Sequence, residues 1–138
     1  MRALVLDANI LIRAVLGQKV RSILLNDANT VRWFVPSYCV DEARKHLPAI
    51  LTKRGVDVAP AIAVLDALLP LLTLIEQQDL LPLQTAAMNR LQYRDIQDWP
   101  VLAAALLLNC PIWTEDHDFF GTGVATWTTS TVKYFLEN

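Results

Sequence analysis

Residues 2–17 read RALVLDANILIRAVLG, a short apolar run, a polar turn and a segment with helical periodicity. The apolar run, residues 3–6, ends in Asp7, and after Asn9 apolar side chains recur at helical spacing until Gly17. Because an unbroken apolar run suits a strand covered on both faces, the stretch predicts a buried strand followed at once by a helix. Asp7 is therefore expected where the strand ends and the chain turns.

The alternation of strand and helix continues along the rest of the chain. Further strands are predicted at residues 33–35, 71–75, 111–114 and 124–128, and further helices at 20–27, 37–47, 60–69, 82–91, 98–108 and 132–136. Ser37 is predicted to cap its helix, Pro48 to kink or end it, and Asn109 to cap the helix before it. Strands that alternate with helices predict an α/β domain, a parallel sheet with helices on both faces.

The composition is that of a globular protein. The chain has 138 residues, 54% of them hydrophobic and 19% charged, which fits one domain over residues 1–138. With four glycines there is no glycine-rich phosphate loop, which disfavours P-loop and dinucleotide-binding folds. The net charge of −2 implies that any contact with nucleic acid is local or metal-mediated.

Neither the apolar segments nor the cysteines indicate a membrane or an oxidising compartment. The apolar stretch at residues 59–75 is interrupted by Asp66 and two prolines, and the N-terminus lacks the features of a signal peptide. Cys39 and Cys110 are far apart and have no neighbouring ligand at metal-binding spacing. The expectation is a soluble, cytoplasmic protein with two buried, reduced thiols.

Five acidic residues stand where the predicted strands end or the predicted helices begin. They are Asp7, Glu42, Asp98, Asp116 and Asp118. Each alone suits a helix cap, a helix dipole or a loop, but these roles give no reason for all of them to gather at one sheet edge. Between residues 95 and 131 there are five acids and no Lys or Arg. Clustered carboxylates raise one another's pKa or bind a cation, and Mg²⁺ and Mn²⁺ prefer such oxygens.

Four segments, in this order, resemble the motifs of the PIN domain family. They are residues 4–9 (LVLDAN), 36–42 (PSYCVDE), 98–105 (DWPVLAAA) and 112–119 (IWTEDHDF). Each motif alone is weak, but four in the right order and at fitting separations are fairly specific. The resemblance covers nearly the whole chain.

The resemblance implies a five-stranded parallel sheet in a three-layer α/β/α sandwich and a metal-dependent ribonuclease. It implies that one or two Mg²⁺ or Mn²⁺ ions are held by an acidic quartet with a supplementary acid, Asp7, Glu42, Asp98 and Asp116 with Asp118. Asn9 and Thr114 would orient the ligands or the scissile phosphate. Many small bacterial members are toxins of toxin–antitoxin pairs and often form homodimers, which implies RNA, an antitoxin and a second copy as partners.

The sequence departs from the family pattern or leaves it open at three places. Ala8 stands where Ser or Thr is common, so one possible polar contact is missing. Glu42 is preceded by Asp41, and the helical phase does not decide which points inward. Asp95 competes with Asp98, which is preferred because it directly precedes the apolar helix.

Contact with RNA is expected from a small set of basic residues, unless these only form solvated helix faces. The candidates are Arg13, Arg44 and Lys45, together with Lys53 and Arg54.

Two other classes of function compete with the nuclease. One is a PIN-like binding module that docks through the apolar surface around residues 59–74. The other is a phosphatase-like enzyme with Asp7 as nucleophile. It is disfavoured because Asn9 stands where such enzymes usually carry a second Asp.

Overall fold

The computed structural model describes residues 1–137, so Asn138, the last residue of the predicted domain, lies outside the described residues. Five strands form one sheet: β1 (Arg2–Leu6), β2 (Val31–Pro36), β3 (Leu72–Ile75), β4 (Ile112–Trp113) and β5 (Thr126–Trp127). All neighbouring strands are parallel, in the order β3-β2-β1-β4-β5. The five-stranded parallel sheet and the α/β fold class are confirmed.

The described residues, 1–137, form eight α-helices in addition to the sheet. They are α1 (Ala8–Leu16), α2 (Gln18–Asn26), α3 (Ser37–Lys53), α4 (Val58–Leu68), α5 (Gln77–Leu80), α6 (Gln84–Arg90), α7 (Trp99–Leu108) and α8 (Val132–Leu136). Short 3-10 turns lie at Leu69–Leu71, Leu81–Leu83, Ile96–Asp98 and His117–Phe119. Within residues 1–137, no helix has the length and apolar character needed to cross a membrane.

The centre of the core is β1, whose residues Leu4, Val5 and Leu6 are fully buried. On either side of it lie Trp33 of β2 and Trp113 of β4, with ring centroids 5.9 Å apart. Both indole N–H groups donate hydrogen bonds, so these large side chains are buried without an unpaired donor. The contact between the two tryptophans therefore joins β2 and β4, the strands on either side of β1, in one hydrophobic core.

The helix α7 is buried along most of its length and packs against β1, β2 and β4. Its residues from Trp99 to Ala105 are all buried, as the strongly apolar sequence predicts. Asn109 ends the helix with φ of 51°, the left-handed conformation that asparagine tolerates, and this predicted cap is confirmed. Asp98 is thereby placed at the start of a helix that is fixed against the sheet.

Ser37 does not cap α3 and Pro48 does not end it, whereas a kink at Pro48 stays a prediction. The residue at its N-cap is Pro36, and Ser37 is already the first helical residue and makes no capping hydrogen bond. Pro48 lies inside the helix, which continues to Lys53. Burial of Leu47 and Leu51 on either side of Pro48 offsets the backbone hydrogen bond that proline removes.

Element boundaries differ in the second half of the chain. The helix predicted at residues 82–91 begins as a 3-10 turn that contains Pro82 and continues as α6, and the short helix α5 before it was not predicted. The strands β4 and β5 are two residues each, shorter than predicted. Proline lacks the N–H that a continuous helix needs, which is consistent with the break at Pro82.

The strand order reverses at β1. From β1 the chain moves to β2 and β3 on one side of the sheet, and then to β4 and β5 on the other. In open parallel sheets, the crevice beyond the carboxyl ends of the strands at such a reversal is the usual place for a site. Asp7, directly after β1, and Thr114, directly after β4, both lie there.

Candidate active site

Asp7 is the buried acid of the site, with a relative exposure of 6%. One carboxylate oxygen accepts a hydrogen bond from the Ala8 backbone N–H at 2.7 Å, which caps α1. The other accepts from Asn9 Nδ2 at 2.9 Å and from Thr114 Oγ1 at 2.7 Å. Asp7 is therefore both a helix cap and part of a network that joins β1 to the loop after β4.

Thr114 is the centre of that network and is fully buried. Besides donating to Asp7, its hydroxyl oxygen accepts from the Asp116 N–H at 3.0 Å and from Asn9 Nδ2 at 3.0 Å. Asn9 Oδ1 in turn accepts from the Glu115 N–H at 3.1 Å. The two polar residues predicted to orient the site thus connect one acid, Asp7, to the backbone that carries another, Asp116.

Three carboxylates lie together beside this network. Asp98, Asp116 and Asp118 each offer an oxygen atom, and the three atoms lie within 4.8 Å of one another. Asp116 Oδ1 also accepts from the Asp118 N–H at 2.9 Å. Carboxylate oxygens this close together repel one another, which favours a bound proton or a bound cation.

Burial and mutual repulsion explain the protonation of these acids. Burial, reinforced by the negative charges of Asp7, Asp95 and Asp116, raises the pKa of Asp98 to about 8. Burial is also the main reason why the pKa of Asp7 is raised, although its hydrogen bonds from Thr114 and Ala8 oppose the shift. Near neutral pH the cluster is therefore poised to exchange a proton for a cation.

The structure distinguishes Asp98 from Asp95, the acid that competes with it in the sequence. Asp98 lies at the N-cap position of α7 but makes no capping bond there, so its carboxylate points to the other acids. Asp95 is exposed and accepts from the Gln97 N–H at 3.0 Å. The geometry favours Asp98 over Asp95.

The same distinction holds on α3. Glu42 is partly buried, whereas Asp41 is exposed. After burial, the charges of Glu42 and Asp98 both help to raise the pKa of Tyr38 and of Cys39, so both acids lie in the neighbourhood of these two residues. Glu42 stands apart from the group of three carboxylates and contacts His46 Nε2 at 3.0 Å.

Two neighbours of the acids were not singled out from the sequence. Tyr38 and Cys39 open α3, and burial is the first cause of the raised pKa of each group. Cys39 is buried close to Asp7, which adds to the rise, so the thiol stays protonated. Tyr38 precedes Glu42 by four residues and thus lies on the same helix face, a signal that sequence spacing contains.

The predicted RNA-binding residues fall into different surroundings. Arg44 forms an ion pair with Asp66 of α4 at 2.5 Å, and Lys45 is exposed on α3. Arg13 and Arg54 line a cavity of about 710 Å³ that also reaches Asn9. Among these residues, Arg13 and Arg54 therefore share a cavity with the site, while Arg44 is engaged elsewhere.

Comparisons with known proteins agree with this geometry. A family model described as PIN domain matches residues 5–137. A comparison with curated proteins found no match.

Three solved structures have a similar fold. VapBC2 from Rickettsia felis, bound to a DNA fragment from its promoter, is 15% identical with a TM-score of 0.70, covering 91% of this chain and 98% of that one. A toxin–antitoxin complex from Klebsiella pneumoniae is 20% identical with a TM-score of 0.61, covering 91% and 96%. PAE2754 from Pyrobaculum aerophilum is 17% identical with a TM-score of 0.71, covering 99% and 90%. At these identities the likeness concerns the fold.

Proposed function

The chain belongs to the PIN domain family, and from that premise we propose that it is a ribonuclease that depends on Mg²⁺ or Mn²⁺. The observation that carries the proposal is the group of Asp98, Asp116 and Asp118, whose oxygens lie within 4.8 Å of one another beside buried Asp7. The family resemblance and this carboxylate cluster at the strand-order reversal support the same reaction, hydrolysis of RNA phosphodiester bonds.

The residues present fit a hard divalent cation. The donors are carboxylate oxygens, and burial together with the neighbouring negative charges raises the pKa of Asp98 to about 8. A bound cation would relieve the repulsion between these oxygens. Asp98, Asp116 and Asp118 would hold the ion, together with Asp7 and Glu42. When bound, it supplies Lewis acidity, which activates water and neutralises charge on the phosphoryl group.

The side chains of the network prepare the site for this chemistry. Thr114 and Asn9 fix the orientation of Asp7, and Thr114 also fixes the backbone N–H of Asp116. Asp98 would hold the ion in its ionised form, because a positive charge beside it would lower its pKa.

Basic residues near the site would contact the RNA. Arg13, in the adjoining cavity, would contact phosphates of the RNA beyond the cleaved bond. Lys45, exposed on α3, would add a peripheral phosphate contact, whereas Arg44 would first have to leave Asp66.

We further propose the biological setting that similar proteins suggest. The similar structure from Klebsiella pneumoniae is a toxin–antitoxin complex, which supports an antitoxin as partner of this chain. We also propose that residues 1–138 act as one domain and that the protein forms a homodimer. Its proposed location is the cytoplasm.

The proposed activity is tested by incubating the protein with a mixed RNA substrate in Mg²⁺, in Mn²⁺ and in EDTA. Cleavage is expected with either metal and not in EDTA, since without a cation the carboxylates repel the phosphate. Excess Mn²⁺ added after EDTA should restore cutting. A folded protein that binds Mn²⁺ and cuts no RNA would contradict the nuclease assignment and favour a docking role.

Stabilisation by metal should depend on pH. The folded-state pKa of Asp98 lies above its ordinary value, so its contribution to metal-free stability is present at low pH and is lost as pH rises through about 8. Cation binding needs the ionised carboxylate and becomes stronger over the same range. The increase in Tm caused by Mn²⁺ should be larger at about pH 9 than at about pH 6.

Calorimetric scans at both pH values, with and without Mn²⁺, measure this difference. The Asp98→Asn variant is the control, because its side chain does not titrate and its response to Mn²⁺ should be small at both values. An equal Tm increase at both pH values in the wild-type protein would show that Asp98 does not exchange its proton for the metal.

A further inference from the structure

Two exposed aromatic rings lie on the loop that carries Asp116 and Asp118. His117 lies between Asp116 and Asp118 in the sequence, and its ring centroid is 5.2 Å from that of Phe120. The ring planes are inclined by 30°, near the offset-stacked arrangement that aromatic pairs favour. His117 is exposed, and Phe120 retains a relative exposure of 42%. The pair therefore presents aromatic surface at the edge of the acidic site.

The loop that carries these rings is held firmly in place. Phe119, between them, is fully buried in the core. Two arginines from the region of α6 hold the loop: Arg94 donates to the Asp118 carbonyl at 2.8 Å and Arg90 to the Thr122 carbonyl at 2.7 Å. Because the rings are already ordered, a ligand that stacks on them loses little free energy in ordering the loop.

Phosphate contacts alone do not explain how a nucleic acid strand is held at this edge. Residues 95–131 contain five acids and no Lys or Arg, so the segment that carries the rings offers phosphates no cation of its own. The two arginines that contact its loop, Arg90 and Arg94, each donate a hydrogen bond to one of its backbone carbonyls. Stacking of a base on an aromatic ring does not depend on a positive surface, and it binds single strands with little preference for the base.

We propose that His117 and Phe120 form a stacking platform for an unpaired base of the RNA strand whose phosphate lies at the carboxylate cluster. The inference rests on the proposed nuclease function and adds to it a contact for a base. Bases inside a duplex are already stacked, whereas unpaired bases offer a free face. The platform therefore binds an unpaired base, with tolerance for base identity.

The experiment is a fluorescence titration with a short single-stranded RNA that carries phosphorothioate linkages against cleavage and one 2-aminopurine, whose emission falls on stacking. Wild-type protein with Mn²⁺ should bind and quench it. Phe120→Ala and His117→Ala should each weaken binding about tenfold and reduce the quenching, as expected for loss of one stacked base. Phe120→Trp should keep both, because it retains an aromatic face.

Two further variants separate stacking from other effects. Phe120→Leu keeps apolar volume without an aromatic face and should bind as weakly as Phe120→Ala. Leu25→Ala removes another exposed apolar side chain, on α2, and should bind like the wild type. If Phe120→Leu bound RNA normally, the surface would not be a stacking platform and would suit apolar contact with a protein. Equal affinity for a duplex probe would also overturn the proposal.

The inference and the nuclease assignment fail in different ways. A protein that binds and quenches the probe through Phe120 but never cleaves RNA would overturn the nuclease assignment and leave the platform. A protein that cleaves RNA with unchanged kcat/KM in both alanine variants would overturn the platform alone. Circular dichroism of the variants shows that each is folded.

Discussion

Asp98→Asn should lower the rate of RNA cleavage by at least about 1000-fold, a loss of about 4 kcal/mol of transition-state stabilisation. The substitution keeps the size and shape of the side chain and removes the charge that a cation needs. Asp98 stands among Asp7, Asp116 and Asp118, so no other residue replaces it without moving the start of α7. Single-turnover cleavage at saturating Mn²⁺ measures the effect.

The same variant shows whether the loss is chemical or structural. In metal-free protein Asp98 is repelled by Asp7, Asp95 and Asp116, so the neutral amide should leave Tm unchanged or raise it. The matched control is Asp41→Asn, which removes an exposed acid on α3 and should cleave at nearly the wild-type rate. Substantial cleavage by Asp98→Asn would remove this residue from the proposed mechanism.

Thr114→Val should lower cleavage by up to about 100-fold, the effect expected when a group that orients a metal ligand is lost. Valine matches threonine in shape but removes the hydroxyl that donates to Asp7 and accepts from the Asp116 N–H. Asp7 then loses a hydrogen bond that lowers its pKa, so its ionised form becomes less favourable. Stability should fall by about 1–3 kcal/mol, because buried polar groups lose their partner.

Urea unfolding and cleavage kinetics measure the two consequences separately. Thr114→Ser retains the hydroxyl and should recover most of the activity. Thr30→Val is the control, since its exposed hydroxyl donates only to the Asp27 carbonyl, and it should change stability by less than about 0.5 kcal/mol. If Thr114→Val cleaved RNA like the wild type, the network around Asp7 would not orient the site.

Most of the fold was predictable because each element carries its own pattern. The apolar run of β1, the periodicity of α1 and the all-apolar sequence of α7 each report local burial, and the structure confirms all three elements. Two of the differences from the predicted elements involve prolines. Pro48 is tolerated inside α3, whereas Pro82 lies in a break between helices, and local sequence does not contain the packing that separates the two cases.

The candidate site was partly readable for a similar reason. Strand ends and helix starts can be placed from sequence, and parallel strands bring their carboxyl ends to one edge. That reasoning placed Asp7 and Asp116 at one sheet edge, and the family resemblance added Thr114, whose hydroxyl contacts both residues in the structure. It did not select between neighbours such as Asp41 and Glu42, because a small rotation of α3 exchanges their environments.

The amino-acid sequence by itself determined the order of strands and helices, the parallel sheet and its acidic edge. It did so because residues buried on both faces of β1 and along α7 are almost all apolar, and local composition records this burial. Only the tertiary structure decided that Asp98 rather than Asp95 lies with Asp116 and Asp118. It also decided that Arg44 forms an ion pair with Asp66. Finally, it decided that the rings of His117 and Phe120 lie together. These outcomes depend on distances between side chains carried by different helices and loops. Such distances are set by how the elements pack, and no local pattern encodes them.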